Sequence, residues 1–234
     1  DWWDNNRSTV MKTTDIRHQE YPELSPEQFE GVKNGKRIAV PGCHASGFIA
    51  LVYPLVESGI ISPDTLLTCH SLTGYSGGGK KMIAEYEAAD RDALLDAPRL
   101  YGLTQQHKHL KEMVKISGLQ NAPAFCPIVS NFYSGMEVTV PLFKSDLKNG
   151  FDIEKIKEIY KNKYNGPLVK YEENLSEEGF ISAGLLSGKD NMIISVSCFT
   201  ASDHKTAVWN TTVVCFHFFH RSEMYCCIII CKVI

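Results

Sequence analysis

The chain has 234 residues, 44% of them hydrophobic and 22% charged, with a formal net charge of -3. This is enough for one large domain or two small ones with a real core, in an ordinary globular composition. The near-neutral balance carries no polyanion-binding signature, so nucleic acid is not an expected partner.

Residues 1–20 are polar without a clear period, and no element is assigned to them. Their opening Asp1-Trp2-Trp3-Asp4 lacks the charged-then-apolar plan of a secretory leader. Tyr21-Pro22-Glu23-Leu24 reads as a loop. Ser25, Pro26 and Gln28 supply a cap, a first-turn proline and an amide three residues past the cap, so a short helix is expected over 26–33. Arg37–Val40 reads as a short strand leading to Cys43. Behind it, Phe48, Ile49, Leu51, Val52, Leu55 and Val56 recur at helical spacing up to about Ser58-Gly59, with a kink expected at Pro54.

Thr65–Thr73 reads as a strand. Gly74–Lys81 is a glycine-rich loop that opens a helix through Met82, Ile83, Tyr86 and Glu87; 88–103 reads as loop and Gln105–Ile116 as helix. Ala124–Val129 and the alternating Met136–Phe143 are expected strands. Ile153, Ile156, Ile159 and Tyr160 mark an amphipathic helix, and Leu168–Tyr171 and Met192–Val196 are further strands. The mixture argues an α/β or α+β core.

The last thirty or so residues change character. His217, His220, Arg221 and Glu223 interrupt their apolar run before it reaches the roughly 18 apolar residues a membrane span needs. Cys215, His217, His220, Cys226, Cys227 and Cys231 fit no paired-ligand zinc spacing, and no metal site is expected anywhere in the chain. The open readings are a buried strand pair or a tail foreign to the fold. Cys43, Cys69, Cys126 and Cys198 are scattered, as in a reducing compartment, so a cytoplasmic location is expected.

The most informative run is Val40-Pro41-Gly42-Cys43-His44-Ala45-Ser46-Gly47. A thiol in the first turn of a helix faces unpaired N–H groups and the positive end of the helix dipole, which favour the nucleophilic thiolate. The alternative is a buried cysteine acting as a small hydrophobe. A proton acceptor is offered by His107-Lys108-His109: on a helix, His109 and Glu112 share a face, and a carboxylate there can orient an imidazole. A solvated surface segment is the competing reading. His44 is expected to point away from the thiol, and His70 to be structural. Ser76-Gly77-Gly78-Gly79-Lys80 offers close backbone approach for an anion or cofactor, or else is a plain turn; it matches neither a P-loop nor a dinucleotide fingerprint.

In order, Pro41–Gly47, Thr73–Lys80, His107-Lys108-His109-Leu110 and Asn131-Phe132-Tyr133-Ser134-Gly135-Met136 resemble the shorter form of the N-acetyl-gamma-glutamyl-phosphate reductases, over about residues 21–197. That resemblance implies a glyceraldehyde-3-phosphate-dehydrogenase-like catalytic domain, with a mixed sheet and helices on one face. It implies Cys43 as nucleophile toward an acyl phosphate, His109 as general acid/base and Glu112 as the group orienting it. It further implies His107 and Ser76 as substrate contacts, Ser76, Gly77, Gly78 and Gly79 against NADPH, and a homo-oligomer. The family's nucleotide-binding domain has no counterpart before Cys43, and its closing segment none after Val196. The expectation is therefore a catalytic and dimerisation domain at 21–197 with a divergent Cys- and Phe-rich tail at 198–234, the whole a fragment with impaired NADP binding. A Cys-His hydrolase or acyltransferase, or a non-catalytic fragment, are the alternatives.

Overall fold

The computed structural model describes residues 22–34, 41–148, 150–200 and 207–215, the last segment and 198–200 by backbone alone. The expected strand at Arg37–Val40 and the stretches 1–20 and 216–234 lie outside the described residues.

Helix α1 (Pro26–Asn34) follows the 25–28 signature: the Gln28 N–H donates to Ser25 Oγ at 3.2 Å. Helix α2 (Cys43–Glu57) buries residues on every side, including Phe48, Ile49, Leu51, Val52 and Leu55, and forms the centre of the core. Pro54 interrupts neither the helix nor its burial. A proline has no N–H to donate, which leaves the Ala50 carbonyl without its helical partner. The Tyr164 hydroxyl donates to that carbonyl at 2.6 Å, and the Tyr160 hydroxyl donates to Leu51 O at 2.6 Å.

Strand β1 (Thr68–Gly74) leads through a single 3₁₀ turn, Tyr75–Gly78, into α3 (Gly79–Glu87). The span expected as loop, 88–103, contains a further 3₁₀ turn, Ala93–Asp96, and strand β2 (Arg99–Leu100). Two residues are too few to show an alternation, and their pairing with β3 (Ala124–Ser130) makes them a strand. Helix α4 (His109–Ser117) starts later than the expected Gln105, because Gln105 is occupied at the sheet. Its side-chain amide donates to Phe125 O at 2.7 Å and accepts from Phe125 N–H at 3.0 Å. Then come β4 (Met136–Phe143), α5 (Ile153–Lys163), capped by Asp152, and strands β5 (Val169–Tyr171), β6 (Met192–Thr200) and β7 (Ala207–Cys215).

Among the described residues seven strands form one mixed sheet in the order β2-β3-β1-β4-β7-β6-β5; β1–β3 and β5–β6 are parallel, the other pairs antiparallel. Alternation sends Cys69, Ser71 and Thr73 of β1 and Met136, Val138, Val140 and Leu142 of β4 to the α2 side. Gly47 lets α2 sit down on the sheet, since a Cβ there would fall 2.6 Å from a Val138 methyl. His70, Leu72, Ile128 and Glu137 lie on the opposite face. The boundary expected at residue 197 falls inside β6, and β7, within the expected tail, pairs along β4 and β6 between them. Its apolar run reads as strand because it completes the sheet rather than standing apart from it. No helix among the described residues is long and apolar enough to cross a membrane.

Candidate active site

The turn before α2 is held from three directions. The Gly42 N–H donates to Glu112 Oε2 at 2.7 Å, the Ser46 N–H closes the first helical bond on Gly42 O at 2.8 Å, and Ser46 Oγ donates to Pro41 O at 3.2 Å. Cys43 is therefore the first residue of α2, half-buried at the N-terminal end of the helix, where its N-cap, Gly42, supplies no side-chain cap. Glu112, expected to orient His109, places one carboxylate oxygen on the turn that carries the thiol.

His109 begins α4 and is buried. Its ring lies directly over Gly42: a Cβ on Gly42 would fall 1.9 Å from His109 Nε2, so glycine is required there by close approach rather than by backbone angle. The expected pair, Cys43 and His109, is thus brought together at the corner between α2 and α4. His107 stands beside them, its ring centroid 4.5 Å from that of His109, and its Nδ1 accepts the His109 N–H at 3.3 Å. Burial, with Lys108 adding to it, pushes the His107 pKa down, so this imidazole is a neutral hydrogen-bonding group at neutral pH rather than a cation.

His44 corrects an expectation. It does not point away from the site but is buried within it, with Nδ1 at 2.6 Å from Ser71 Oγ and Nε2 at 2.6 Å from Tyr101 Oη. Its ring is 5.5 Å from that of His109 and 6.0 Å from that of His107. Helical spacing alone sends residue 44 round the axis from residue 43; it does not show that β1 and the post-β2 segment close over that side. Burial and the nearby Cys43 charge push the Tyr101 phenol well above its ordinary pKa, so Tyr101 remains a protonated donor. Ser71 and Tyr101 were missed by sequence reasoning. The one available signal was a tyrosine inside the apparent loop 88–103, since a buried tyrosine needs a partner for its hydroxyl. Cys43, His44 and His109 each present one ligand-type atom within 4.8 Å of the others. His70 is exposed on the sheet's other face and takes no part.

The glycine-rich loop is placed at the end of β1, a little beyond Ser71. The N–H groups of Gly74, Tyr75 and Ser76 donate to the carbonyls of Gly135, Phe132 and Tyr133, so the Thr73–Lys80 and Asn131–Met136 runs dock on each other. A Cβ on Gly74 would fall 2.6 Å from Phe132 O, which fixes glycine at that crossing. Ser76 is wholly buried, and its hydroxyl has no hydrogen-bond partner among the described residues. Gly77 and Gly78 are exposed, and space around Gly79 is open, with a φ of 77° that suits glycine. Gly77 and Gly78 thus give an exposed, side-chain-free surface at the head of α3, which fits contact with part of a nicotinamide cofactor, whereas the wholly buried Ser76 hydroxyl is not exposed to it.

The chain is similar to known proteins in sequence and in fold. Residues 43–209 match the family described as semialdehyde dehydrogenase, dimerisation domain; the match runs past Val196, where the motif resemblance ends. The N-acetyl-gamma-glutamyl-phosphate reductase of Sinorhizobium medicae is 36% identical over 203 residues, covering 82% of this chain and 65% of that protein. The enzyme of the same name from Brucella ovis is 34% identical over 212 residues, covering 86% and 68%. The chain thus spans about two thirds of the length of these relatives. Among solved structures, aspartate semialdehyde dehydrogenase II from Vibrio cholerae superposes with a TM-score of 0.58 at 15% identity, covering 86% of this chain and 64% of that one. Aspartate semialdehyde dehydrogenase from Francisella tularensis gives 0.56 at 13% identity, covering 83% and 65%. At such identities the likeness speaks for the fold alone, and it is the glyceraldehyde-3-phosphate-dehydrogenase-like fold expected from the motifs. The chain belongs to the semialdehyde dehydrogenase dimerisation-domain family, with N-acetyl-gamma-glutamyl-phosphate reductases among its relatives.

Proposed function

We propose that this chain is the catalytic part of an N-acetyl-gamma-glutamyl-phosphate reductase, forming N-acetylglutamate semialdehyde in arginine biosynthesis. The observation that carries the reading is the placement of Cys43 at the start of α2 directly beside the His109 ring.

In the proposed mechanism the Cys43 thiolate attacks the acyl carbon. The carbon–oxygen bond to phosphate breaks, inorganic phosphate leaves, and a thioester on Cys43 remains. The N-terminal N–H groups of α2 favour the thiolate before attack. His109 accepts the thiol proton on the way in and protonates the oxyanion formed at the same carbon after reduction. When bound, NADPH supplies the hydride. In the collapse of the resulting hemithioacetal His109 takes the hydroxyl proton back, the carbon–sulfur bond breaks, the aldehyde leaves and Cys43 returns as thiolate. Glu112 acts on the turn, fixing the position of Gly42 and hence of the thiol. His107, neutral, offers substrate a hydrogen bond. Gly77, Gly78 and Gly79 contribute the catalytic-domain side of the cofactor contact, with Ser76 buried at the start of the same loop, and the Tyr101 hydroxyl, held by His44, adds a donor near the thiol.

Self-association belongs to the same reading. The sheet face away from α2 carries Leu72, Ile128 and Pro141, and burial there already pushes the Glu137 carboxyl up. A second copy of the chain is the partner of matching chemistry, and a dimer mass by light scattering is the expected result.

The test of the reaction is mass spectrometry after incubation of the reduced chain with N-acetylglutamyl phosphate and no nucleotide. The expected outcome is one acyl group on the Cys43 peptide and one equivalent of phosphate released. Continuous phosphate release without an adduct assigns the site to a Cys-His hydrolase, and neither product contradicts a competent thiol.

A further inference from the structure

We propose that Cys43, His44 and His109 form a binding site for a divalent transition metal of the zinc type, and that metal capture holds the thiol inactive. The three donors, one sulfur and two imidazole nitrogens, lie within 4.8 Å of one another although they come from two helices. Zinc distances of about 2.0 Å to nitrogen and about 2.3 Å to sulfur bring tetrahedral donors to about 3.5 Å apart, so side-chain shifts of about an ångström close the site. The donor set selects by softness: one thiolate and two imidazoles suit zinc and cobalt, while magnesium and calcium require oxygen ligands. Three protein ligands leave a fourth position for water, the arrangement of an open rather than a structural zinc site.

The surroundings support the donors. Both ring nitrogens of His44 already have hydroxyl neighbours, Ser71 Oγ and Tyr101 Oη, each at 2.6 Å. Whichever nitrogen turns to the ion, the other keeps a hydroxyl that fixes the ring, the outer-sphere support metal-bound histidines characteristically have. His109 Nε2 is pinned over Gly42, beside the thiol. Cys43 is half-buried, whereas His44 and His109 are buried, so an ion enters past the sulfur. Binding replaces the thiol proton, which goes to solvent, and no electron is transferred. The sulfur lone pair and an imidazole nitrogen are then both engaged, which blocks attack on an acyl carbon. This last consequence rests on the proposed reductase reading; metal binding itself does not.

The test uses the reduced, metal-stripped chain and Co²⁺ as a spectroscopic probe, with Zn²⁺ in a parallel protection assay. One equivalent of Co²⁺ is expected to give a thiolate-to-cobalt charge-transfer band that Cys43→Ser removes and Cys126→Ser keeps. His44→Gln and His109→Asn each weaken Co²⁺ binding at least about 10-fold, the lower end of what loss of an outer-sphere partner does. Zn²⁺ slows iodoacetamide labelling of the Cys43 peptide in the unmutated chain, a readout that requires no variant to fold. The proposal is overturned if the band survives unchanged in Cys43→Ser, which assigns it to other cysteines, or if Zn²⁺ leaves Cys43 labelling unaltered. An acyl adduct on Cys43 without zinc protection overturns the metal site alone; zinc protection without an adduct overturns the reductase reading alone.

Discussion

Cys43 and Cys69 are the same side chain in opposite settings. Cys43 is half-buried at the first position of a helix, with an imidazole beside it and a carboxylate holding its turn. Cys69 is wholly buried in the middle of the sheet, where burial first, and then Glu137 and Cys126, push its thiol well above the usual range. The contrast is one of chain geometry: a helix start favours the charge that an apolar sheet interior penalises.

The largest effect that divides the two sites is loss of the nucleophile. Cys43→Ser is expected to abolish the acyl adduct and phosphate release, read by mass spectrometry and phosphate assay. Cys69→Ser is expected to keep both and to cost about 1–3 kcal/mol in urea unfolding, because it buries a hydroxyl in place of a thiol. A second way to break the contrast is Gly42→Ala. The added methyl cannot coexist with the His109 ring, and a displacement of about 1 Å at a reacting pair costs about 100-fold, read in single-turnover phosphate release.

Tyr164→Phe sharpens the comparison from the other side. It strips the Ala50 carbonyl of the donor that replaces the missing Pro54 N–H, which costs about 1–3 kcal/mol for a buried unsatisfied group. Chemical denaturation should show that loss while Cys43 acylation in the folded chain stays near its original rate, since the turn is untouched. The smallest effect is a pH dependence. The His107 pKa is lowered on folding, so the unfolded chain binds the extra proton and stability rises with pH across the window between the folded value and about 6.5. Stability is therefore full above pH about 6.5 and falls on acidification below it. His107→Gln should flatten that part of a Tm-versus-pH series.

The strongly periodic parts of the fold were legible in the sequence. The capping residues at 25–28, the apolar face behind Cys43 and the alternation of Met136–Phe143 each report a local rule that the structure obeys. What was not legible came from partners distant in the chain. Gln105 reads as helical until Phe125 offers it a strand-like pair of hydrogen bonds. Arg99–Leu100 is a strand through β3, and β7 a strand through β4 and β6. At the site, motif order brought Cys43, His107 and His109 into one neighbourhood. His44 was misplaced because neighbouring helix positions diverge, whereas a buried site can enclose both.

The most direct measurement of the central claim is the iodoacetamide labelling rate of individual cysteine peptides at neutral pH, in the folded chain and in the same chain unfolded by urea. Folding ordinarily shields a partly buried thiol. The account predicts that folding nevertheless accelerates Cys43 while it slows Cys69, and that His109→Asn reduces the Cys43 acceleration. Folding that slows Cys43 as it slows Cys69 would contradict the assignment of Cys43 as an activated nucleophile.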